Sequence, residues 1–477
     1  MASADAALAV DRRPCHVVAL PYPGRGHINA MLSLCRLLAA RSAAISVTVV
    51  LTEEWLGLLG APEPPPRVRF AAIPNVIPSE HGRAADFSGF IEAVHTKMEA
   101  PVERLLREMA LPSPGTAAAP PAAVVVDMFL PWAVPMAARM GVVACSFCPL
   151  SATHCAAFYH FDRLAAAHRR TTGCAGDSSA VTDTNDQLWN QYIPGQTCIR
   201  LRDLEPIISH ETNMARFMLR IRSVKAAQFV LFTSFYELEA GVMDSLMSVS
   251  PSPHMCPIGP CIPYMTLQEQ TNISKVKDEY FTWLDSQPAG SVLYVSLGSF
   301  LSVSPSQLTE LAMGLAASGV RFLWALRGEL HSHVQQSLGD SNGILVPWCD
   351  QLKVLCHGSI GGFLTHCGMN STLEAVYAGV PMLTFPIAMD QPTNSRLIVD
   401  VWKIGFSLKE KMRSDNLVGR EEIAQAVKML MHMDAAESKE VRRRALSLRE
   451  TSLRAIEEGG SSSSNIGSFL NCILGWN

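Results

Sequence analysis

The apolar run His16–Leu20 ends in Pro21-Tyr22-Pro23-Gly24-Arg25-Gly26-His27. An amphipathic stretch, Ile28–Ala40, and a β-branched run, Ile45–Leu51, come next. Strand, glycine-bearing turn, helix and strand make one βαβ unit, and strands joined by a helical crossover lie parallel. Val68–Ile73, Ala123–Val126 and Gln228–Thr233 read as further strands, and the long amphipathic segment Phe87–Met109 reads as one helix. A second series follows: Ser291–Ser296, Arg321–Leu326, Ile344–Val346, Ile360–Thr365 and Met382–Phe385 as strands, with helices between, Ser304–Ala317 among them. Between the two series, Pro251 to Lys277 carries five prolines and then a polar tract without period, which marks an interdomain linker. The expectation is an α/β chain of two doubly wound parallel-sheet halves, residues 1–252 and 278–454, joined by a linker at 253–277. Such sheets bind ligands at the carboxyl ends of their strands, so the site belongs in the cleft between the halves.

Composition narrows the function. A chain of 477 residues has room for two cores, and 48% hydrophobic with 17% charged residues is globular usage. A formal net charge of −4 gives no electrostatic reason to expect nucleic acid or an anionic membrane as partner. Met1–Pro14 has no basic start or apolar core, no apolar stretch reaches membrane-spanning length, and the 13 cysteines are an odd number. Reduced thiols and a cytoplasmic location are therefore expected; a monomer is expected as well.

The most informative stretch runs from Trp348 to Gln391. Ile360–Thr365 ends at His366-Cys367-Gly368, and Asn370-Ser371-Thr372-Leu373-Glu374 then begins a helix, with capping residues first and an acidic residue in the first turn. A strand feeding a helix N-terminus through glycine exposes backbone N–H groups at the positive end of the helix dipole, which suits a diphosphate. His366 adds a side-chain donor, Glu374 can accept from ribose hydroxyls, and Asp390 beside Gln391 suits several sugar hydroxyls.

This stretch resembles the donor-binding signature of the plant family 1 UDP-dependent glycosyltransferases, and its 44 positions match that family's spacing. Val295-Ser-Leu-Gly-Ser299, Phe322-Leu-Trp324, Phe235-Tyr-Glu-Leu-Glu239, Trp283-Leu-Asp285 and Glu458-Gly-Gly-Ser-Ser462 resemble other family landmarks, so the likeness covers nearly the whole chain. The resemblance implies the GT-B arrangement of two Rossmann-like domains, with residues 455–477 forming a last helix that crosses back to the first domain. It implies that Trp348 stacks on uracil and Gln351 contacts the ribose, with Cys349 and Gly368 also in the donor site. His366, Asn370, Ser371 and Ser299 would hold the diphosphate, Glu374 the ribose hydroxyls, and Asp390 and Gln391 the sugar. The closing Gln391 is associated with glucose donors. Met369 stands where the family usually has Trp, which bears on the sugar end alone.

The same resemblance, through Pro23-Gly-Arg-Gly-His27-Ile-Asn, makes His27 the general base that takes the acceptor's proton. Asp127, ending Val124-Val-Val-Asp127, would orient it. An imidazole accepts a proton at neutral pH without special tuning, and a carboxylate on its other nitrogen fixes the tautomer. Ser151 matches a hydroxyl position near the sugar. No cofactor and no metal are expected: the helix N-terminus and His366 would offset the charge of departing UDP. The acceptor, a small lipophilic phenol, flavonoid, terpenoid or hormone, is expected to meet the segments Asn75–Arg83, Phe87–His95, Phe147–Tyr159 and Asp183–Gly195, which carry Phe87, Phe147, Phe158 and Tyr159. Trp132, Trp283 and Trp324 are read as core. Two other functions stay open at this stage. One is a nicotinamide-dependent oxidoreductase using Gly24-Arg25-Gly26 and Glu53 or Glu54, although its third glycine is missing, since position 29 is Asn. The other is a catalytically silent nucleotide-sugar-binding protein.

Overall fold

β1 (Cys15–Leu20) shows why the chain folds in layers. Val17 and Ala19 enter one hydrophobic cluster, whereas Val18 and Leu20 enter another. Alternate side chains of a strand point to opposite faces, so both faces of this sheet are buried. The computed structural model describes residues 14–60, 65–81, 83, 86–111, 119–161, 211–249, 253–269, 279–298, 303–328, 330–339, 341–409 and 417–475.

β1 pairs in parallel with β2 (Ile45–Thr52) and β4 (Pro121–Asp127); β3 (Val68–Ile73), β5 (Val143–Cys148), β6 (Phe229–Phe232) and β7 (His254–Pro257) complete the sheet in the order β3-β2-β1-β4-β5-β6-β7. The second sheet holds β8 (Val292–Ser296), β9 (Arg321–Ala325), β10 (Gly343–Val346), β11 (Ile360–Thr365), β12 (Met382–Thr384) and β13 (Gly405–Ser407), in the order β10-β9-β8-β11-β12-β13. In each sheet the strand order reverses once, between β1 and β4 and between β8 and β11. A crevice opens at the carboxyl ends of strands at such a reversal.

Several expectations are corrected. Phe87–Met109 is two helices, Phe87–Lys97 and Glu99–Ala110, interrupted at Met98. Pro101 has no N–H for a continuous helix but is tolerated in the first turn of a new one. His254–Pro257, assigned by sequence to the linker, is the edge strand β7, where Pro257 leaves no central ladder bond unmade. The helix after β11 is Met369–Ala378, capped by Gly368 without a side-chain bond; Asn370 is therefore not its cap, and Glu374 falls in the second turn. Of the segments expected to meet the acceptor, Phe87–His95 lies in the helix Phe87–Lys97, and most of Phe147–Tyr159 is the end of β5 plus the helix Ala152–Tyr159. Ser299 and Asp183–Gly195 lie outside the described residues.

The halves touch through specific bonds. Asn370 Nδ2 donates to Gly26 O (2.6 Å), and Trp402 Nε1 donates to Leu238 O (3.0 Å). His154 Nδ1 meets Thr393 Oγ1 at 3.1 Å, both residues being buried. The last helix, Ser461–Gly475, inserts Ile466, Phe469, Leu470 and Ile473 into the cluster under β1, and Asn465 Nδ2 donates to Pro257 O (2.8 Å). No helix among the described residues is long and apolar enough to cross a membrane.

Candidate active site

The reversal in the first sheet brings two expected residues together. His27 lies in the first turn of the helix Arg25–Arg41 after β1, one step beyond the turn where the sequence placed it, and Asp127 ends β4. His27 Nδ1 is 2.8 Å from Asp127 Oδ2; the carboxylate is fully buried, and the imidazole is 24% exposed toward the cleft. Asp127 Oδ1 accepts the Phe129 backbone N–H (3.0 Å), so both carboxylate oxygens are engaged. With Nδ1–H donating to Asp127, the lone pair rests on Nε2, the nitrogen free to take a proton. The rings of Tyr22 and Phe129 stand 5.0 and 4.9 Å from the imidazole.

The reversal in the second sheet assembles the opposite wall. A cleft of about 670 Å³ is lined by His27 from the first half and by Trp348, Gln351, His366, Asn370 and Asp390 from the second. Cys349, Gly368, Met369, Ser371 and Glu374 also border it. Trp348 presents a 56% exposed indole. Gln351 ties the floor together: its Oε1 accepts from Tyr294 Oη (3.2 Å), while its Nε2 donates to Ser371 Oγ (3.0 Å) and Glu374 Oε2 (2.6 Å). Burial pushes Glu374 up to about 7 and His366 down to about 4, so this imidazole is neutral at physiological pH. The Cys349 thiol lies 3.3 Å from the Tyr294 hydroxyl. Burial also holds the Asp390 carboxyl above the ordinary carboxylate range, and the group accepts from Asn394 Nδ2 (2.7 Å).

His366 explains two glycines. A Cβ at Gly298 would sit 2.7 Å from His366 Nε2, and one at Gly368 would sit 2.6 Å from it. Gly298 also has φ +85°, the left-handed region. Gly298→Ala is therefore expected to cost about 2 kcal/mol or more through strain and displacement of the imidazole. A UDP affinity and a melting temperature both equal to wild type would contradict this.

Other expectations fare differently. Gln391 is buried and does not border the cleft; its Oε1 accepts from Ile387 N (2.7 Å) and Ala388 N (3.1 Å), so only its NH₂ remains for a ligand. Ser151 is fully buried and caps the helix Ala152–Tyr159, accepting the His154 N–H (3.2 Å). Asn370 reaches Gly26 across the cleft. The Met369 side chain is buried in the core with Leu373 and Val376. Phe147 and Phe158 are core residues, Phe158 packing on Phe217 at 3.6 Å, and thus do not face an acceptor; Tyr159 is also buried. Trp132 and Trp324 are buried as expected, and Trp283 is half-buried. Tyr22, Tyr294, Phe129 and Arg220 were missed: single aromatic or basic residues carry no spacing signal, although Tyr22 lies inside the motif that ends at His27.

Two facing parallel sheets with a cleft at their strand ends define the GT-B fold. Residues 256–438 match the model of the UDP-glucoronosyl and UDP-glucosyl transferase family. The chain is 42% identical to UDP-glycosyltransferase 87A2 of Arabidopsis thaliana over 465 residues, 97% of each chain, and 40% identical to UDP-glycosyltransferase 87A1, over 95% of this chain and 99% of the relative. Among solved structures, Os79 from O. sativa in complex with UDP is 29% identical with TM-score 0.79, covering 96% of this chain and 100% of that one. Phytolacca americana UGT2 with UDP-2fluoro-glucose and pterostilbene is 27% identical with TM-score 0.77, covering 96% and 98%. The chain belongs to the plant family 1 UDP-glycosyltransferases, and it is a UDP-glycosyltransferase. The nicotinamide reading is set aside accordingly; Glu54 is in any case tied to Ser79 and to the Glu80 backbone N–H.

Proposed function

We propose that this enzyme transfers glucose from UDP-glucose, with inversion and without a metal, to a hydroxyl or carboxyl of a small lipophilic acceptor. For a hydroxyl acceptor, the oxygen attacks C1 from the face opposite UDP, and its proton passes to His27 Nε2 as the bond to the diphosphate breaks. The observation that carries this reading is the 2.8 Å His27–Asp127 contact at the edge of the donor cleft. Asp127 holds the tautomer and stabilises the imidazolium that forms. The first N–H groups of the helix Met369–Ala378 have no intrahelical partners, so with neutral His366 and Ser371 they receive the diphosphate. Glu374 accepts from the ribose hydroxyls, and Asp390, which lines the cleft, holds the sugar; Gln391, buried behind it, supports that loop through the Ile387 and Ala388 N–H groups. Relatives whose names specify 7-deoxyloganetin glucosyltransferases, 32% identical to this chain, support a glucose donor and a small plant acceptor.

Incubation with UDP-glucose and a panel of aglycones, read by mass and by the anomeric proton coupling of the product, tests the proposal. A product retaining the donor's α configuration would overturn the inverting mechanism. Trp348→Ala should raise the UDP dissociation constant roughly 5–100-fold, the worth of one base–aromatic stack. Unchanged UDP binding in a titration would remove Trp348 from the uracil site.

A further inference from the structure

Arg220, in the helix Glu211–Ala226, is only 8% exposed, yet it makes no ion pair among the described residues. Its guanidinium lies 4.2 Å from the Phe129 ring centroid and 5.8 Å from that of Phe217, and its Nε is sealed without a hydrogen-bond partner. The carboxylate whose charge reaches it, Asp127, already has both oxygens engaged, by His27 and by the Phe129 N–H. Arg216, one turn away, is matched by Glu92 at 3.1 Å and so brings no compensation. His95 Nε2 is sealed without a partner as well; burial and then the charge of Arg220 lower its pKa to about 4. A buried guanidinium without an anion is costly, because the charge loses its water with nothing to offset it, and an incoming carboxylate would remove that cost.

The position of this orphan charge is informative. The Phe129 ring that carries Arg220 stands edge-on to His27, 4.9 Å between centroids. The guanidinium and the general base thus pack against the same aromatic ring.

We propose that Arg220 anchors a carboxylate on the acceptor, so that the preferred substrates are small hydroxy acids whose hydroxyl, at the other end of a flat skeleton, faces His27. This rests on the transferase reading above and specifies its acceptor. The carboxylate keeps its charge and forms no bond to sugar. The hydroxyl oxygen attacks C1, its proton goes to His27, and UDP departs with the electron pair of the broken bond. Planar, bidentate pairing is what a guanidinium offers a carboxylate.

The test uses the full chain with UDP-glucose and two matched probes, 4-hydroxycinnamic acid and its methyl ester. The wild type should favour the acid by at least about tenfold in kcat/KM, giving a glucoside with a free carboxyl. In Arg220→Met the acid-to-ester ratio, which cancels any general effect on folding or turnover, should fall roughly 10–100-fold, carried mainly by KM. Arg220→Lys, which keeps charge but loses the fork, should fall between the two. Equal ratios in wild type and Arg220→Met would overturn the anchor, as would sugar attached to the carboxylate. If neither probe reacts and UDP fails to bind the wild type, the transferase reading itself fails instead.

Discussion

His27→Ala is expected to lower kcat by roughly 10²–10⁴-fold, the usual contribution of a positioned general base. The loss should appear in kcat and leave UDP binding nearly intact, because the residues proposed to hold UDP lie in the other domain. Asp127→Asn offers a sharper test, since the surroundings decide how the amide turns. Oδ1 of Asp127 accepts the Phe129 N–H, so an Asn side chain would keep its oxygen there and aim its NH₂ at His27 Nδ1. That donor would force the imidazole to carry its proton on Nε2, where it can no longer accept one. A loss of about 10²-fold or more is expected with the fold unchanged. Wild-type turnover in His27→Ala would sink the catalytic assignment. A wild type that binds UDP but turns over nothing would favour the silent-binding alternative.

Glu374→Ala should weaken UDP binding by about 10²-fold, since two hydroxyl donors to one carboxylate are worth roughly 3 kcal/mol together. The same group predicts a pH dependence. In the free enzyme burial raises its pKa to about 7, and ribose hydroxyls bind the ionised form better. UDP affinity should therefore fall as pH drops below about 7, with a proton released on binding, and Glu374→Gln should abolish both effects. Calorimetry in buffers of different ionisation enthalpy measures that proton directly. The stability contribution has the opposite sense. The folded pKa lies above the unfolded value near 4.5, so the native state holds the extra proton between these limits. Its benefit is complete below about 4.5 and is lost as pH rises through about 7. A pH-independent UDP affinity across this window would contradict the ribose role of Glu374.

Much of the second half's side of the cleft was legible because its residues lie on one continuous segment, in the turns and helix starts after the successive strands β10, β11 and β12. Trp348, Gln351, His366, Asn370, Ser371, Glu374 and Asp390 all reach the same cleft for that reason. The exceptions are local: Gln391 turns its carbonyl to its own backbone, and Ser151 serves a helix end. Strands with low-propensity or very short sequences escaped notice, namely β5 (Val-Ala-Cys-Ser-Phe-Cys) and the three-residue β13.

Periodicity and glycine placement determined the class of this protein: two parallel α/β halves, with a glycine-bearing strand-to-helix turn in the second. Tertiary structure decided everything that depends on groups distant in sequence. His27 and Asp127 lie 100 residues apart and meet because the strand order reverses between β1 and β4. His366 requires glycine at position 298 because β8 and β11 are neighbours at the second reversal. Arg220 gives no signal in sequence, where one arginine in a helix looks like any other. Only packing shows it buried on Phe129 without an ion-pair partner among the described residues, since burial and pairing depend on which surfaces the fold brings into contact.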